Sequence, residues 1–160
     1  MKFVADSMLG KLAQWLRILG YDTTYNSLAD DDTILNQALT EDRILLTRDR
    51  PLADRSPDGR SFLIAHDGLD DQMLQLVQTL GLDLDRETFT LCLVCNEPIL
   101  QVQPEAVQDR IPPYVYETQR RFHECPKCSR VYWQGTHLNR MNSRLEKIKE
   151  HAKKARKEIP

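Results

Sequence analysis

The chain has 160 residues, 41% of them hydrophobic, and a formal net charge of −2. That length allows one domain or two small ones, and no apolar run approaches the length needed to cross a bilayer. The small net charge hides a split, because residues 1–90 hold 9 Lys/Arg against 16 Asp/Glu and residues 91–160 hold 13 against 8. An acidic first part points to grouped carboxylates and a basic second part to a polyanionic partner; solvated surface is the simpler alternative for both.

Phe3-Val4-Ala5 predicts a short strand ending at Asp6. Leu9, Leu12, Ala13, Leu16 and Leu19 recur at three- and four-residue intervals, the spacing of one helix face, and predict a helix over residues 8–19. Gly20 stops it. Thr23-Thr24-Tyr25 is a weaker second strand. Asp30-Asp31-Asp32 opens the next helix, where orphan amides and the positive end of the dipole favour acids. Ile34, Leu35, Ala38 and Leu39 supply its apolar side. Ile44-Leu45-Leu46 is apolar throughout, like a parallel strand buried on both faces, and ends at Thr47-Arg48-Asp49. Phe62-Leu63-Ile64-Ala65 predicts another strand, and Met73, Leu74, Leu76, Val77 and Leu80 mark a helix closed by Gly81. Strand alternating with helix predicts an α/β fold with a parallel sheet flanked by helices.

Ligands of such sheets bind beyond the carboxyl ends of the strands. Asp6 and Asp49 each follow a strand, and Asp31 stands in the first turn of the helix preceding one of them. If the strands are neighbours, the three carboxylates converge, and a hard cation such as Mg²⁺ or Mn²⁺ would relieve their repulsion. Such an ion polarises a phosphate oxygen and lowers the pKa of a bound water. Taken singly, each Asp also reads as a helix or turn cap. Other acidic or nucleophilic chemistries fit less well. Met8 stands where a haloacid-type phosphatase would carry its second Asp, and no glycine-rich phosphate loop or nucleophile elbow follows a strand. His66 reads as structural.

All four cysteines fall into two Cys-x-x-Cys pairs, Cys92/Cys95 and Cys125/Cys128, 29 residues apart. Two knuckles with no spare cysteine predict a closed tetrahedral zinc site that holds a small domain together and names no reaction. Disulfides would need an oxidising compartment, whereas Met1-Lys2-Phe3-Val4 runs into Ala5-Asp6 without a signal-peptide pattern, so a cytoplasmic setting is expected.

The run Asp6-Ser7-Met8-Leu9-Gly10-Lys11-Leu12-Ala13-Gln14-Trp15-Leu16-Arg17, with Gly20-Tyr21-Asp22, resembles the opening motif of a known family. Asp31-Asp32-Thr33-Ile34-Leu35 resembles the acidic helix of PIN-like nucleases, and Leu45-Leu46-Thr47-Arg48-Asp49 their strand-to-acid motif. The cysteine pairs with Tyr132-Trp133-Gln134-Gly135-Thr136-His137 and Arg140-Met141 resemble a zinc-ribbon half. Together, over about residues 1 to 143, the chain resembles the PIN-like RNase domain family of the Mut-seven C-terminal type. The resemblance implies a compact PIN-like nuclease fused to a zinc ribbon, RNA as substrate, Asp6, Asp31 and Asp49 as catalytic metal ligands, and Thr47 as their small polar companion. The additional helical acid of larger PIN domains has no clear counterpart; Asp30, Asp32 and Asp67 are the available substitutes.

The expected organisation is a PIN-like domain over residues 1–87, a zinc ribbon over 88–143 and a basic helical tail over 144–160. Around the second knuckle, Arg120, Arg121, Lys127 and Arg130 alternate with Phe122, Tyr132 and Trp133. Cations contact phosphates and rings stack on unpaired bases, although the rings also suit the ribbon's own small core. Lys11 and Arg48 are further candidates for steadying a phosphate. His137 is a spare ligand at most, since four cysteines fill the site. Residues 140–157 carry 8 Lys/Arg in a helix-prone run, either a solvated tail or a phosphate-attracting one. The resulting expectation is a cytoplasmic, Mg²⁺- or Mn²⁺-dependent ribonuclease with a structural zinc. The rival is a non-catalytic RNA- or ribosome-binding adaptor, and a nuclease restrained by a protein inhibitor is a third possibility.

Overall fold

The computed structural model describes residues 1–157, without the side chains of Asp58, His137 and residues 155–157. His137 as a ligand, and the last residues of the expected tail, therefore lie outside the described residues.

Strands β1 (Phe3–Ala5), β2 (Thr23–Tyr25), β3 (Ile44–Thr47) and β4 (Ser61–Leu63) form one sheet in the order β2-β1-β3-β4, with every neighbouring pair parallel. Alternation along each strand sends side chains to opposite faces. Phe3, Ala5 and Leu46 enter the larger core with helices α1 (Gly10–Ile18) and α4 (Leu69–Leu80). Val4 and Leu45 enter a smaller core with α2 (Asp31–Thr40), which supplies Ile34 and Ala38, and α3 (Arg50–Asp54), which supplies Leu52. Both faces are thus covered, as the unbroken apolar run of β3 requires.

Helix boundaries follow local chemistry. A 3₁₀ turn over Ser7–Leu9 precedes α1 and is capped by Asp6, whose carboxylate accepts from the Met8 N–H at 2.7 Å. Gly20 reverses the chain after α1 at φ 72°, and a Cβ there would meet the Glu87 carbonyl at 2.8 Å. Gly81 ends α4 in the left-handed conformation. Asp30 caps α2 through the Thr33 N–H at 2.8 Å.

The second unit is a three-stranded antiparallel sheet, β5 (Leu100–Val102), β6 (Phe122–Glu124) and β7 (Val131–Trp133), with a short helix α5 (Pro113–Thr118) between β5 and β6. Val107, Ile111 and Phe122 form its core, with Trp133 packed against them. Helix α6 (Thr136–Lys157) then returns to the first sheet. Its Met141, Leu145, Ile148 and Ala152 lie in the larger core beside α1 and α4. Over residues 140–154 the basic run is therefore an amphipathic helix with an apolar face buried and most of its charges outward.

Candidate functional site

The sheet order makes β1 and β3 neighbours whose crossovers depart to opposite sides, which is the topological switch point where open α/β sheets bind ligands. Asp6 and Thr47-Arg48-Asp49 leave the sheet there. Asp6 is only 4% exposed, and a buried carboxylate needs hydrogen-bond donors. It has three. Met8 N–H serves one oxygen, and the Thr47 hydroxyl and the Arg48 N–H, at 3.3 Å, serve the other. Thr47 is fully buried, and its hydroxyl oxygen also accepts the Asp49 N–H at 2.9 Å. One hydroxyl thus ties the Asp6 carboxylate to the Asp49 backbone.

Asp49 is exposed and caps α3, with one carboxylate oxygen accepting the Leu52 N–H at 3.1 Å. Asp31 is exposed at the start of α2, on the same carboxyl edge, because α2 departs from the end of β2. Its carboxylate pairs with Arg55 at 3.3 Å, and Asp32 pairs with the same guanidinium. The structure therefore brings Asp6 and Asp49 to one junction and holds Asp31 beside a cation at the rim. Among the described residues, no three carboxylates lie within 4.8 Å of one another. The donor chemistry, hard oxygens at a switch point, suits Mg²⁺ or Mn²⁺. The arrangement gathers two acids and leaves the third neutralised by Arg55.

Beside Asp6 an open groove of about 670 Å³ runs over the starts of α1 and α4. Lys11 and Arg48 line it, and Arg144 of α6 joins them. Arg48 pairs with Asp67, and its Nε is a buried donor without an acceptor among the described residues. Gly10 faces Tyr25 at the rim, where a Cβ would come within 2.8 Å of the ring. His66 is exposed, and its carbonyl accepts the Gln72 side-chain amide.

In the ribbon, the sulfurs of Cys92, Cys95, Cys125 and Cys128 all lie within 4.8 Å of one another. The two knuckles repeat one geometry. The carbonyl of the first cysteine accepts the N–H four residues on, from Asn96 and Ser129, each at 2.9 Å. Both residues adopt positive φ, 65° and 58°, which turns the chain back on itself. Burial pushes the Cys92 thiol up, yet the Tyr132 hydroxyl and backbone N–H groups of Cys95 and Val94 outweigh it and bring it down to about 6. Cys95 is pushed up to about 12 by its hydrogen bond with Cys128, by burial and by the Cys92 charge. Four packed thiols that cannot all ionise together are what a divalent cation resolves, and four sulfurs in two knuckles suit tetrahedral zinc.

Arg120 and Arg121 precede β6, and Lys127 and Arg130 follow it in the second knuckle; all four are exposed. Arg121, His123, Tyr132 and Trp133 share a second cleft of about 380 Å³ with Phe89. The Tyr132 hydroxyl accepts the Leu93 N–H at 3.1 Å and lies 3.1 Å from the Cys92 sulfur, so both rings serve the ribbon's own structure. Two functional candidates escaped the sequence reading. Arg55 follows from α3, whose signal is Pro51 in a first turn, two residues after the capping Asp49. Arg144 was one cation among many in the basic run, and only packing distinguishes it.

The family model described as Mut7-C RNAse domain matches residues 1–145, so the chain belongs to that family. No curated protein and no solved structure matches it. Membership points to a nuclease with RNA as its substrate class. No described helix is long and apolar enough to cross a membrane.

Proposed function

We propose that this Mut7-C family member is a cytoplasmic, divalent-metal-dependent ribonuclease that hydrolyses RNA phosphodiester bonds at Asp6, Asp31 and Asp49. The observation that carries the reading is the Thr47 hydroxyl, which joins Asp6 and Asp49 at the switch point between β1 and β3. Asp6, Asp49 and Asp31 would hold Mg²⁺ or Mn²⁺, with Asp31 exchanging Arg55 for the ion. When bound, the ion would lower the pKa of a water and offset charge on the scissile phosphate. The chain's own residues prepare the site. Thr47 and the Arg48 and Met8 amides fix the Asp6 carboxylate in one orientation, so it loses little freedom on binding. Asp49 is anchored through one oxygen and presents the other. Arg55 keeps the apo site from self-repulsion. Zinc at the four cysteines would be structural, and Arg120, Arg121, Lys127 and Arg130 would add sequence-independent affinity for RNA phosphates.

A second reading is favoured by one observation. Every Asp6 oxygen is already engaged and Asp31 is already paired, as suits an RNA- or ribosome-binding adaptor that keeps the fold without the chemistry. Asp49→Asn separates the two. On labelled RNA with Mg²⁺ or Mn²⁺, wild type cleaves and the variant loses about 100-fold or more in rate while folding normally. Equal cleavage by both puts the chemistry elsewhere, and RNA binding without cleavage by either installs the adaptor.

A further inference from the structure

We infer that the groove over the starts of α1 and α4 is the track for the phosphodiester backbone of single-stranded RNA, and that Arg144 of α6 forms one of its walls. The inference rests on the ribonuclease reading for what happens at the end of the track, and on the groove alone for binding. Lys11 from α1, Arg48 from the end of β3 and Arg144 from α6 line the same 670 Å³ opening, with Asp67 as the acid among its lining residues. Three cations far apart in sequence meet in one concavity, where the fold focuses their field.

Each cation is set for an external anion. Arg144 is positioned by Asp70 at 2.8 Å and by the Trp15 ring, 5.4 Å from its guanidinium carbon. Those contacts fix the plane of a five-donor group and use only part of it. Arg48 pairs with Asp67 through one terminal nitrogen, and its other terminal nitrogen has no partner among the described residues. Lys11 is exposed and forms no ion pair among the described residues. Helix α4, twelve residues long, opens onto the groove without a side-chain cap, because Gly68 before it has no side chain to offer. Its first-turn amides are therefore available to phosphate oxygens. Tyr25 and the largely exposed Met8 supply a surface for sugar and base.

The groove also leads to the acids. Met8 and Arg48 line it, and their backbone N–H groups are the ones that clamp Asp6. A strand lying on Lys11 and Arg144 would reach Asp6 beside Arg48. Helix α6 then contributes to the substrate track through one docked arginine, which a diffuse basic tail would not do.

The test uses the full-length, zinc-loaded protein and a fluorescein-labelled single-stranded RNA of about a dozen nucleotides, with anisotropy read over a salt series without added divalent ions. Lys11→Gln and Arg144→Gln are compared with Arg60→Gln, an equal charge change at the amino edge of β4. Each groove variant should reduce the slope of log K against log salt by about 0.7 and weaken binding about fivefold near 0.1 M salt, and the double variant about 25-fold. Arg60→Gln should change neither. A thermal melt guards against loosening of α6 by Arg144→Gln, and Lys11→Gln, on an exposed helix surface, carries the test by itself. If Lys11→Gln binds with the wild-type slope, or Arg60→Gln costs as much as the groove variants, the track is refuted. If the groove variants behave as expected and wild type cleaves no RNA with Mg²⁺ or Mn²⁺, the track stands and the ribonuclease reading falls.

Discussion

Leu145→Ala measures whether α6 is part of the first sheet's core. Leu145 is 2% exposed and shares the core with Trp15, Met73 and Leu76. Burying a leucine is worth about 1.5–3 kcal/mol, and the cavity left by truncation raises the expected loss to about 2–5 kcal/mol. Total stability for a domain of this kind is about 5–15 kcal/mol, so the loss is a large share of it. At about 2–4 °C per kcal/mol for a chain of this length, a loss near 3 kcal/mol lowers the melting temperature by roughly 6–12 °C. The same substitution on a solvated tail would stay within about 0.5 kcal/mol, because alanine is the better helix former and no contact is lost. Asn142→Ala, on the exposed side of the same helix, is the control and should stay within that margin. Urea denaturation of the zinc-loaded protein, followed by helical circular dichroism and tryptophan fluorescence, gives both numbers. A Leu145→Ala shift no larger than that of Asn142→Ala would refute the docking of α6. The result also bears on truncations, since removing residues 144–160 takes Leu145, Ile148 and Ala152 out of the core along with the charge.

Two other outcomes are expected. Thr47→Val keeps the shape of a fully buried side chain but strips a donor from Asp6 and an acceptor from the Asp49 N–H, so it should cost about 1–3 kcal/mol in a urea melt and cleavage should fall with it; Thr47→Ser should restore both. Purified protein should carry one zinc per chain by metal analysis, and Cys125→Ser should lose it and unfold β5–β7, because metal affinity there is folding free energy; disulfides in place of zinc would overturn this.

The parallel sheet was legible because its signals are local and redundant. Phe3-Val4-Ala5, Thr23-Thr24-Tyr25 and Ile44-Leu45-Leu46 are strands as read, and Gly20 and Gly81 end their helices at positive φ. The strand expected at Phe62–Ala65 is observed at Ser61–Leu63, since Ser61 pairs with Leu45 and the apolar run overshoots the ladder. Helix α4 begins at Leu69, before its apolar run, because Asp70 and Asp71 suit a first turn that has no hydrophobic signature. The five-residue α3 was too short to show periodicity. Met141, Leu145, Ile148 and Ala152 do recur at helical spacing, but they are sparse among lysines and arginines, so charge masked the buried stripe. For the acids, sequence supplied the placement after strands and could not supply the pairing. That Asp6 is locked by Thr47 while Asp31 is occupied by Arg55 depends on side chains from four separate segments of the chain.

The acidic and basic parts of the chain meet at the first knuckle. Arg17 of α1 is 4% exposed, and burying a guanidinium requires acceptors. They come from both sides: its Nε donates to the Thr23 carbonyl at 2.8 Å, and its Nη1 to the carbonyls of Leu93 at 2.8 Å and Val94 at 3.0 Å, inside the Cys92–Cys95 turn. Asn96, which closes that turn at positive φ, donates to Asp22 at 2.6 Å and accepts the Thr23 N–H at 2.8 Å. Asp22 in turn pairs with the buried Arg43, and the Arg43 and Asn96 hydrogen bonds outweigh burial to hold its carboxyl below the usual range. The knuckle that offers two sulfurs to a metal is thus also the edge partner of β2. Four thiolates around a divalent ion would leave two negative charges, and the buried Arg17 guanidinium, whose own pKa burial lowers, is held on the carbonyls of the same turn. The first cysteine knuckle and the geometry of β2, and through it the β1 strand that leads into Asp6, rest on one shared set of hydrogen bonds.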